Sequence, residues 1–210
     1  MSTIKAIIFD MDGVLIDAKE WHYVALNRAL NLFGMEISRY EHLVTYDGLP
    51  TKTKLQMLTI ERGLSCRLHS FINTLKQTYT MELTATNCKP TFHHQYALAR
   101  LKRENYKLAV ASNSVRSTVT TMLTQAQLIE YIDFYLSNED VQNAKPHPEI
   151  YIRAIERIGC SSMECLIVED NERGVKAATA SGAHLFRVNS TDDVTYQAIL
   201  GAINAIEGDK

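Results

Sequence analysis

The feature that most constrains the fold is a series of short apolar runs, each of which ends abruptly in polar residues. The first run covers residues 5–9, reads Lys-Ala-Ile-Ile-Phe, and is followed at once by Asp10-Met11-Asp12-Gly13. A near-continuous apolar run of this length is typical of a strand that is buried on both faces. Further runs of the same kind predict strands at 107–111, 134–136, 165–168 and 184–188.

Helical segments alternate with these strands. The predicted helices of this part of the chain are 92–104, 115–125, 148–158 and 172–181. Strand–helix alternation predicts an α/β protein whose core is a doubly wound, Rossmann-like parallel sheet. In open sheets of this type, ligands bind outside the carboxyl ends of the strands. The polar residues that follow the strands are therefore expected to meet at one edge, and they are Asp10, Asp12, Ser112, Glu169 and Asp170.

Between residues 17 and 86 the alternation stops and the pattern becomes helical. We predict helices at 21–33, 52–62 and 68–83, with turns at Gly34, at Gly63 and at Asp47-Gly48-Leu49-Pro50. An all-helical block after the first strand of an α/β sheet is typical of an inserted module. The chain is therefore predicted to contain an α/β core formed by residues 1–16 and 87–210, and an inserted helical domain at 17–86.

Composition and charge exclude several classes of protein. Hydrophobic residues make up 46% of the chain and charged residues 22%, which is ordinary for a globular protein. The formal net charge of −2 gives no basic footprint for nucleic acid or for an anionic membrane surface. The chain begins without a signal-peptide pattern, and its apolar runs are too short to cross a bilayer. We expect a cytoplasmic protein with neither a nucleic-acid partner nor a membrane partner.

The pair Asp10 and Asp12 is the first candidate for chemistry. Two carboxylates two residues apart lie on the same side of an extended chain, and their repulsion calls for a cation or a shared proton. Magnesium prefers oxygen ligands and also binds phosphate oxygens. A carboxylate can itself attack phosphorus and form an aspartyl phosphate. The alternative is an ordinary strand that ends in a polar turn.

Three further motifs follow predicted strands or precede predicted helices. Glu169 and Asp170 would complete a magnesium site with Asp10, or would simply be acidic residues near the start of the next helix. Ser112 and nearby backbone N–H groups would bind a phosphate at a helix N-terminus, or would form an ordinary cap. Lys145, in a segment stiffened by two prolines, would neutralise a transferring phosphoryl group, or would face solvent.

Taken together and in this order, the four motifs resemble those of the haloacid dehalogenase superfamily of phosphatases and phosphomutases. The matching segments are 10–17, Ser112, Lys145 in Lys-Pro-His-Pro, and 168–174. The resemblance is closest to the branch that holds β-phosphoglucomutase and small sugar-phosphate phosphatases. It implies that the inserted domain is a helical cap that closes over the core.

The resemblance also implies a role for each motif residue. Asp10 is the nucleophile, and Asp12 protonates the leaving oxygen and then activates water or an acceptor hydroxyl. The implied magnesium ligands are Asp10, the backbone carbonyl of Asp12, and Asp170, with Glu169 supporting the metal directly or through a neighbour. The implied phosphate-binding residues are Ser112, Asn113 and Lys145. The catalytic set is accordingly Asp10, Asp12 and Lys145.

In relatives, a cap loop between two helices selects the substrate, and here the corresponding segment is 46–52. The candidate cap contacts are His22, Gly48, Lys52 and Lys76. Each has an ordinary alternative as a structural residue or a solvated helix position. β-Phosphoglucomutase carries an Arg in this loop, where the present chain has Thr51 and Lys52.

The favoured function is a magnesium-dependent phosphatase that hydrolyses a small phosphorylated metabolite, most naturally a sugar phosphate. One alternative is a phosphohexomutase of the β-phosphoglucomutase type, which the missing cap Arg disfavours. A phosphonate hydrolase that uses Lys52 or Lys54 as a Schiff base is another. A non-catalytic binding protein on the same fold is the last alternative. Such a protein would be expected to have lost motif residues, whereas Asp10, Asp12, Lys145 and Asp170 are all present here. Asp12 argues against dehalogenase activity, and we expect a monomer or a weak homodimer.

Overall fold

A computed structural model describes residues 3–208 of the chain. Contacts divide it into two compact units, one formed by 3–17 with 89–208 and the other by 18–88. The strands are β1 (Ala6–Phe9), β2 (Lys107–Ala111), β3 (Phe134–Leu136), β4 (Cys165–Glu169) and β5 (His184–Arg187). The α-helices are α1 (Lys19–Asn31), α2 (Arg39–Glu41), α3 (Thr51–Arg62), α4 (His69–Asn87), α5 (Phe92–Arg103), α6 (Arg116–Gln125), α7 (Glu149–Ile158), α8 (Glu172–Ala180) and α9 (Tyr196–Glu207).

The first unit is built on one parallel sheet with the strand order β3-β2-β1-β4-β5. Strand β1 is central, and Phe9 lies level with Val110 of β2 and with Val168 of β4. All four residues of β1 and all five of β4 are buried, which explains why both read as continuous apolar runs. The predicted doubly wound parallel sheet is confirmed.

Helices cover both faces of this sheet. Residues Ala6 and Ile8 point to one face, where they pack in a hydrophobic cluster with Tyr151 of α7 and Ala177 of α8. Helices α5 and α9 contact each other and also contact β2 and β5, respectively, which closes the opposite face. This double cover fixes the sheet and leaves the carboxyl ends of its strands to present functional groups.

The second unit is helical and has a hydrophobic core of its own. Its buried residues come from α1, α3, α4 and the segments between them, and they are Leu26, Ala29, Leu30, Ile37, Tyr46, Leu55, Leu58, Leu64 and Ile72. The amide of Asn27 ties the turn after α1 in place, because it both donates to the carbonyl of Ile37 and accepts from its N–H, at 2.8 and 2.9 Å. A short π-helical turn, His42–Tyr46, precedes α3. The identification of this unit as a cap domain stays a prediction.

None of the helices in residues 3–208 is both long enough and apolar enough to span a membrane.

Candidate active site

The carboxyl edge of the central strands gathers the acidic motif residues. Asp10 follows β1, and its N–H donates to the carbonyl of Val168 on β4 at 3.0 Å. Glu169 ends β4, and Asp170 follows it. One carboxylate oxygen from each of these three buried residues lies within 4.8 Å of the other two. The structure therefore brings three of the sequence-predicted site residues into one cluster.

Lys145 forms ion pairs with two members of this cluster, Asp10 and Glu169. Its ammonium nitrogen lies 2.7 Å from three acceptors, namely Asp10 Oδ1, Glu169 Oε1 and the phenol oxygen of Tyr151. The side chain is only 3% exposed, which rules out the solvent-facing alternative for this residue. An ammonium group has three N–H donors, so each donor has one partner here.

Burial dominates the electrostatics of the cluster. Burial raises the pKa of Asp10 well above its usual range; the Lys145 ammonium opposes this shift, while the carboxylates of Glu169 and Asp170 add to it. Burial alone would lower the pKa of Lys145, but the charges of Asp10 and Glu169 outweigh it and raise that pKa. Three carboxylates face one ammonium, so the ionised cluster carries an excess of negative charge.

That excess makes the cluster a fitting site for magnesium. The donors are all carboxylate oxygens, which are the ligands that hard divalent cations prefer. A divalent cation would also balance the charge that one ammonium leaves uncompensated. The donor set thus fits the metal that the sequence motifs imply.

Glu169 is held from every side. Its Oε1 accepts hydrogen bonds from Lys145 and, at 2.6 Å, from the hydroxyl of Tyr151, while its Oε2 accepts from the N–H of Asp170 at 3.0 Å. The residue is fully buried. A Cβ atom on Gly174 would lie 1.8 Å from Glu169 Oε1, so α8 can pass this close only because it has glycine there. Glu169 is therefore placed to fix its neighbours as well as to support a cation.

Asp12 lies beside the cluster on the turn that follows β1. Gly13 adopts a positive φ of 94°, and its N–H donates to the carbonyl of Ile16 at 2.7 Å, which closes the turn. The hydroxyl of Ser114 donates to Asp12 Oδ2 at 2.8 Å. This hydrogen bond helps to orient the Asp12 carboxylate.

The turn after β2 contributes the next group. Ser112 is fully buried, and its hydroxyl oxygen accepts a hydrogen bond from the N–H of Ser114 at 3.0 Å. The side chain of Asn113 binds the backbone of Lys145, because its Oδ1 accepts from the Lys145 N–H at 3.1 Å and its amide donates to the Lys145 carbonyl at 3.4 Å. Asn113 thus positions the segment that carries the lysine.

The candidate cap residues are spread over the second unit. The ammonium of Lys76 on α4 lies 3.0 Å from Nδ1 of His22 on α1. Gly48 has a φ of 69°, as expected for a shaped turn between helices. Lys52 is exposed at the start of α3, whereas Lys54, one of the two Schiff-base candidates, is buried.

No role was assigned from the sequence to Tyr151 or Ser114, and Gly174 entered only as the last residue of the 168–174 motif. Tyr151 lies six residues after Lys145 at an apolar position of α7, where it reads as a core aromatic. Burial, first, and the Glu169 charge, second, raise the pKa of Tyr151 well above its usual range, so the phenol keeps its proton and donates. Gly174 offered a signal, because a glycine inside a helix is costly unless something approaches closely.

The chain is similar in sequence to several known proteins. The sequence profile of one family, described as Haloacid dehalogenase-like hydrolase, matches residues 7–188. A phosphorylated carbohydrates phosphatase from Thermotoga maritima is 29% identical over 182 residues, which cover 85% of this chain and 82% of the relative. A phosphoglycolate phosphatase from Aquifex aeolicus is 25% identical over 179 residues, which cover 85% of this chain and 82% of the relative.

A solved structure of β-phosphoglucomutase from Clostridium difficile shares the fold. Its TM-score is 0.83 at 21% sequence identity, and the match covers 97% of this chain and 98% of that one. The profile match spans most of the chain and confirms both the expected superfamily and an enzyme of the hydrolase class. The chain belongs to the haloacid dehalogenase-like hydrolase family.

Proposed function

We propose that this protein is a magnesium-dependent phosphatase that hydrolyses a small phosphorylated metabolite through an aspartyl phosphate on Asp10. The observation that carries the proposal is the buried cluster of Asp10, Lys145, Glu169 and Asp170 at the carboxyl edge of β1 and β4. A buried carboxylate that is held by an ammonium and flanked by further carboxylates is suited to attack a phosphoryl group beside a cation.

Asp10 is the nucleophile in this proposal. Lys145 holds Oδ1 at 2.7 Å and favours the ionised form of the carboxylate against the effect of burial. A carboxylate oxygen of Asp10 attacks phosphorus, the bond from phosphorus to the leaving oxygen breaks, and an aspartyl phosphate forms. Because the carboxylate is already held in place, less conformational entropy is lost when it attacks phosphorus.

Asp12 transfers the protons. In the first step its protonated carboxyl group gives a proton to the leaving alkoxide, and the alcohol departs. In the second step the Asp12 carboxylate takes a proton from water, which attacks phosphorus, releases inorganic phosphate and restores Asp10. The hydrogen bond from Ser114 to Oδ2 keeps this group pointed in one direction through both steps.

The phosphoryl oxygens are bound by Ser112, by the backbone at Asn113 and by the charge of Lys145. Ser112 follows directly after β2 and precedes the start of α6 at Arg116, so the turn presents its hydroxyl and N–H groups near a helix N-terminus. The magnesium ligands would be Asp10, Asp170 and the backbone carbonyl of Asp12, with Glu169 as support. When bound, magnesium would supply positive charge that offsets the charge on the phosphoryl oxygens.

A sugar phosphate is the proposed substrate class. Support comes from the relative that is named a phosphorylated carbohydrates phosphatase, which matches 85% of the chain. The cap residues His22, Gly48, Lys52 and Lys76 are proposed to select among such substrates. A cytoplasmic location and a monomer or weak homodimer stay predictions from the sequence.

The test is inorganic phosphate release from a panel of phosphorylated metabolites that includes hexose 1-phosphates. We expect release with magnesium and none with EDTA, and we expect Asp10→Asn to abolish it and Asp170→Asn to require more magnesium. Glu156→Gln, which removes an exposed carboxylate on α7, is the matched control and should behave as wild type. Isomerisation of a hexose phosphate without phosphate release would favour the mutase instead. Full activity of Asp10→Asn would reject the nucleophile.

A further inference from the structure

The hydroxyl of Tyr151 forms hydrogen bonds with both Lys145 and Glu169, two residues of opposite charge in the site. Its hydroxyl donates to Glu169 Oε1 at 2.6 Å and accepts from the ammonium of Lys145 at 2.7 Å. The same ammonium lies 4.5 Å from the centre of the Tyr151 ring. The residue is fully buried in the core beneath α7, and the function proposed above gives it no role.

The Tyr151 hydroxyl is the third hydrogen-bond acceptor of the Lys145 ammonium. A tetrahedral ammonium with three fixed acceptors has one orientation, and two of these acceptors are the carboxylates of Asp10 and Glu169. If the third acceptor were removed, the ammonium could turn about the remaining two and its distance to Asp10 would vary. A neutral third acceptor also adds no further negative charge to an already acidic cluster.

The hydroxyl also fixes the position of Glu169. The Oε1 atom of Glu169 accepts hydrogen bonds from the ammonium and the phenol together, and α8 passes close to the same carboxylate at Gly174. Without the phenol, the ammonium alone would hold Oε1, and a buried lone pair would lose its donor. Such a loss costs more than the mean value of a hydrogen bond because no water replaces the donor.

We propose that Tyr151 is a positioning residue for this reaction: through Glu169 and Lys145 it holds the ammonium against Asp10 without touching the substrate. The proposal rests on the function proposed above. The ring by itself does not supply this role, because a phenylalanine would keep the packing and the ring face while lacking the donor and the acceptor.

The test is Tyr151→Phe in the full-length protein, with Tyr196→Phe as the matched control. The Tyr196 hydroxyl also donates to a glutamate at 2.6 Å, but that partner is Glu104, away from the cluster. We expect Tyr151→Phe to lower kcat about tenfold while KM changes less than about twofold, because the hydroxyl contacts Lys145 and Glu169 and not the substrate. Tyr196→Phe should leave both constants unchanged. An unchanged kcat in Tyr151→Phe would overturn the proposal.

A double-mutant cycle with Glu169→Gln shows whether Tyr151 acts through Glu169. If it does, the loss of kcat in the double variant is smaller than the product of the two single losses. Multiplicative losses would contradict that route. If wild type releases no phosphate from any substrate, the proposed function fails. The same double-mutant cycle is then carried out on the free energy of unfolding, measured in urea. Coupled losses of stability would then support the contact between Tyr151 and Glu169, and additive losses would reject it.

Discussion

At the scale of single residues, the site depends on side chains that hold other side chains. Lys145 is fixed by three acceptors, Glu169 by donors on both of its oxygens, and Asp12 by Ser114. Such support is what keeps reactive groups within the small tolerance that catalysis requires. The geometry therefore predicts that changes beside the reactive groups, and not only in them, alter the rate.

Gly174→Ala tests this dependence from the backbone side. The new Cβ would lie 1.8 Å from Glu169 Oε1, so the carboxylate or α8 must move. We expect the free energy of unfolding to fall by about 1–3 kcal/mol and kcat to fall with it. Urea unfolding and phosphate release measure the two effects.

Gly201→Ala is the matched control, because Gly201 also lies inside a helix but has open space around its Cβ position. There the substitution should raise the free energy of unfolding by about 0.5–1 kcal/mol, as alanine favours helices. Equal effects of the two substitutions would show that the contact with Glu169 does not matter.

At the scale of elements, the sequence pattern predicted most strands and helices closely. It did not predict the hydrogen bonds that Tyr151 forms in the site. Predicted strands 107–111 and 134–136 coincide with β2 and β3. Helix α4 runs to Asn87, four residues beyond its predicted end at 83, because a polar, threonine-rich last turn carries little hydrophobic period. The π-helical turn at His42–Tyr46 had no signal in the pattern.

The contacts of Tyr151 could not be predicted for a different reason. Periodicity shows that a side chain faces the core, but it does not show which polar atoms meet there. Tyr151 and Glu169 are 18 residues apart and lie on α7 and β4, so their hydrogen bond exists only once the helix has packed on the sheet. Sequence patterns therefore indicate which positions are buried, but they do not show which polar groups form hydrogen bonds there.

Helix α5 is joined to the segment after β5 by His94, and this contact predicts a pH dependence of stability. Because the Thr191 carbonyl can only accept, His94 Nε2 carries the proton and donates at 2.9 Å, while Nδ1 accepts from the Thr91 hydroxyl at 2.7 Å. Burial lowers the pKa of His94 to about 4 from the ordinary 6.5, with only partial opposition from Thr191. The folded state therefore prefers the neutral ring.

Because the folded state prefers the neutral ring, the protein loses stability when the pH is lowered. The stabilisation is present above pH 6.5 and is lost as the pH falls towards 4, because the unfolded chain binds the proton first. We expect the free energy of unfolding to drop by roughly 2–3 kcal/mol over this interval from His94 alone. Urea unfolding at several pH values should show a shallower slope in His94→Gln than in wild type. Identical slopes would contradict the assignment.

At the scale of the whole molecule, the parallel sheet explains why motifs scattered along the chain act together. The strand order β3-β2-β1-β4-β5 places β1 between β2 and β4, so residues near positions 10, 112 and 169 reach the same edge. The motifs are spread over more than 150 residues of sequence, and the strand order still allows them to form one compact site. The family profile matches residues 7–188, and the buried acidic cluster lies within that matched region.

An aspartyl phosphate on Asp10 can be detected from the mass of the peptide that contains Asp10, after acid quenching during turnover. We expect a phosphoryl group on Asp10 in wild type while substrate and magnesium are present, and none in Asp10→Asn. The phosphoryl group should disappear once the substrate is exhausted, because water releases it as phosphate. Phosphate release with no phosphoryl group on Asp10, or with one on another residue, would contradict the account.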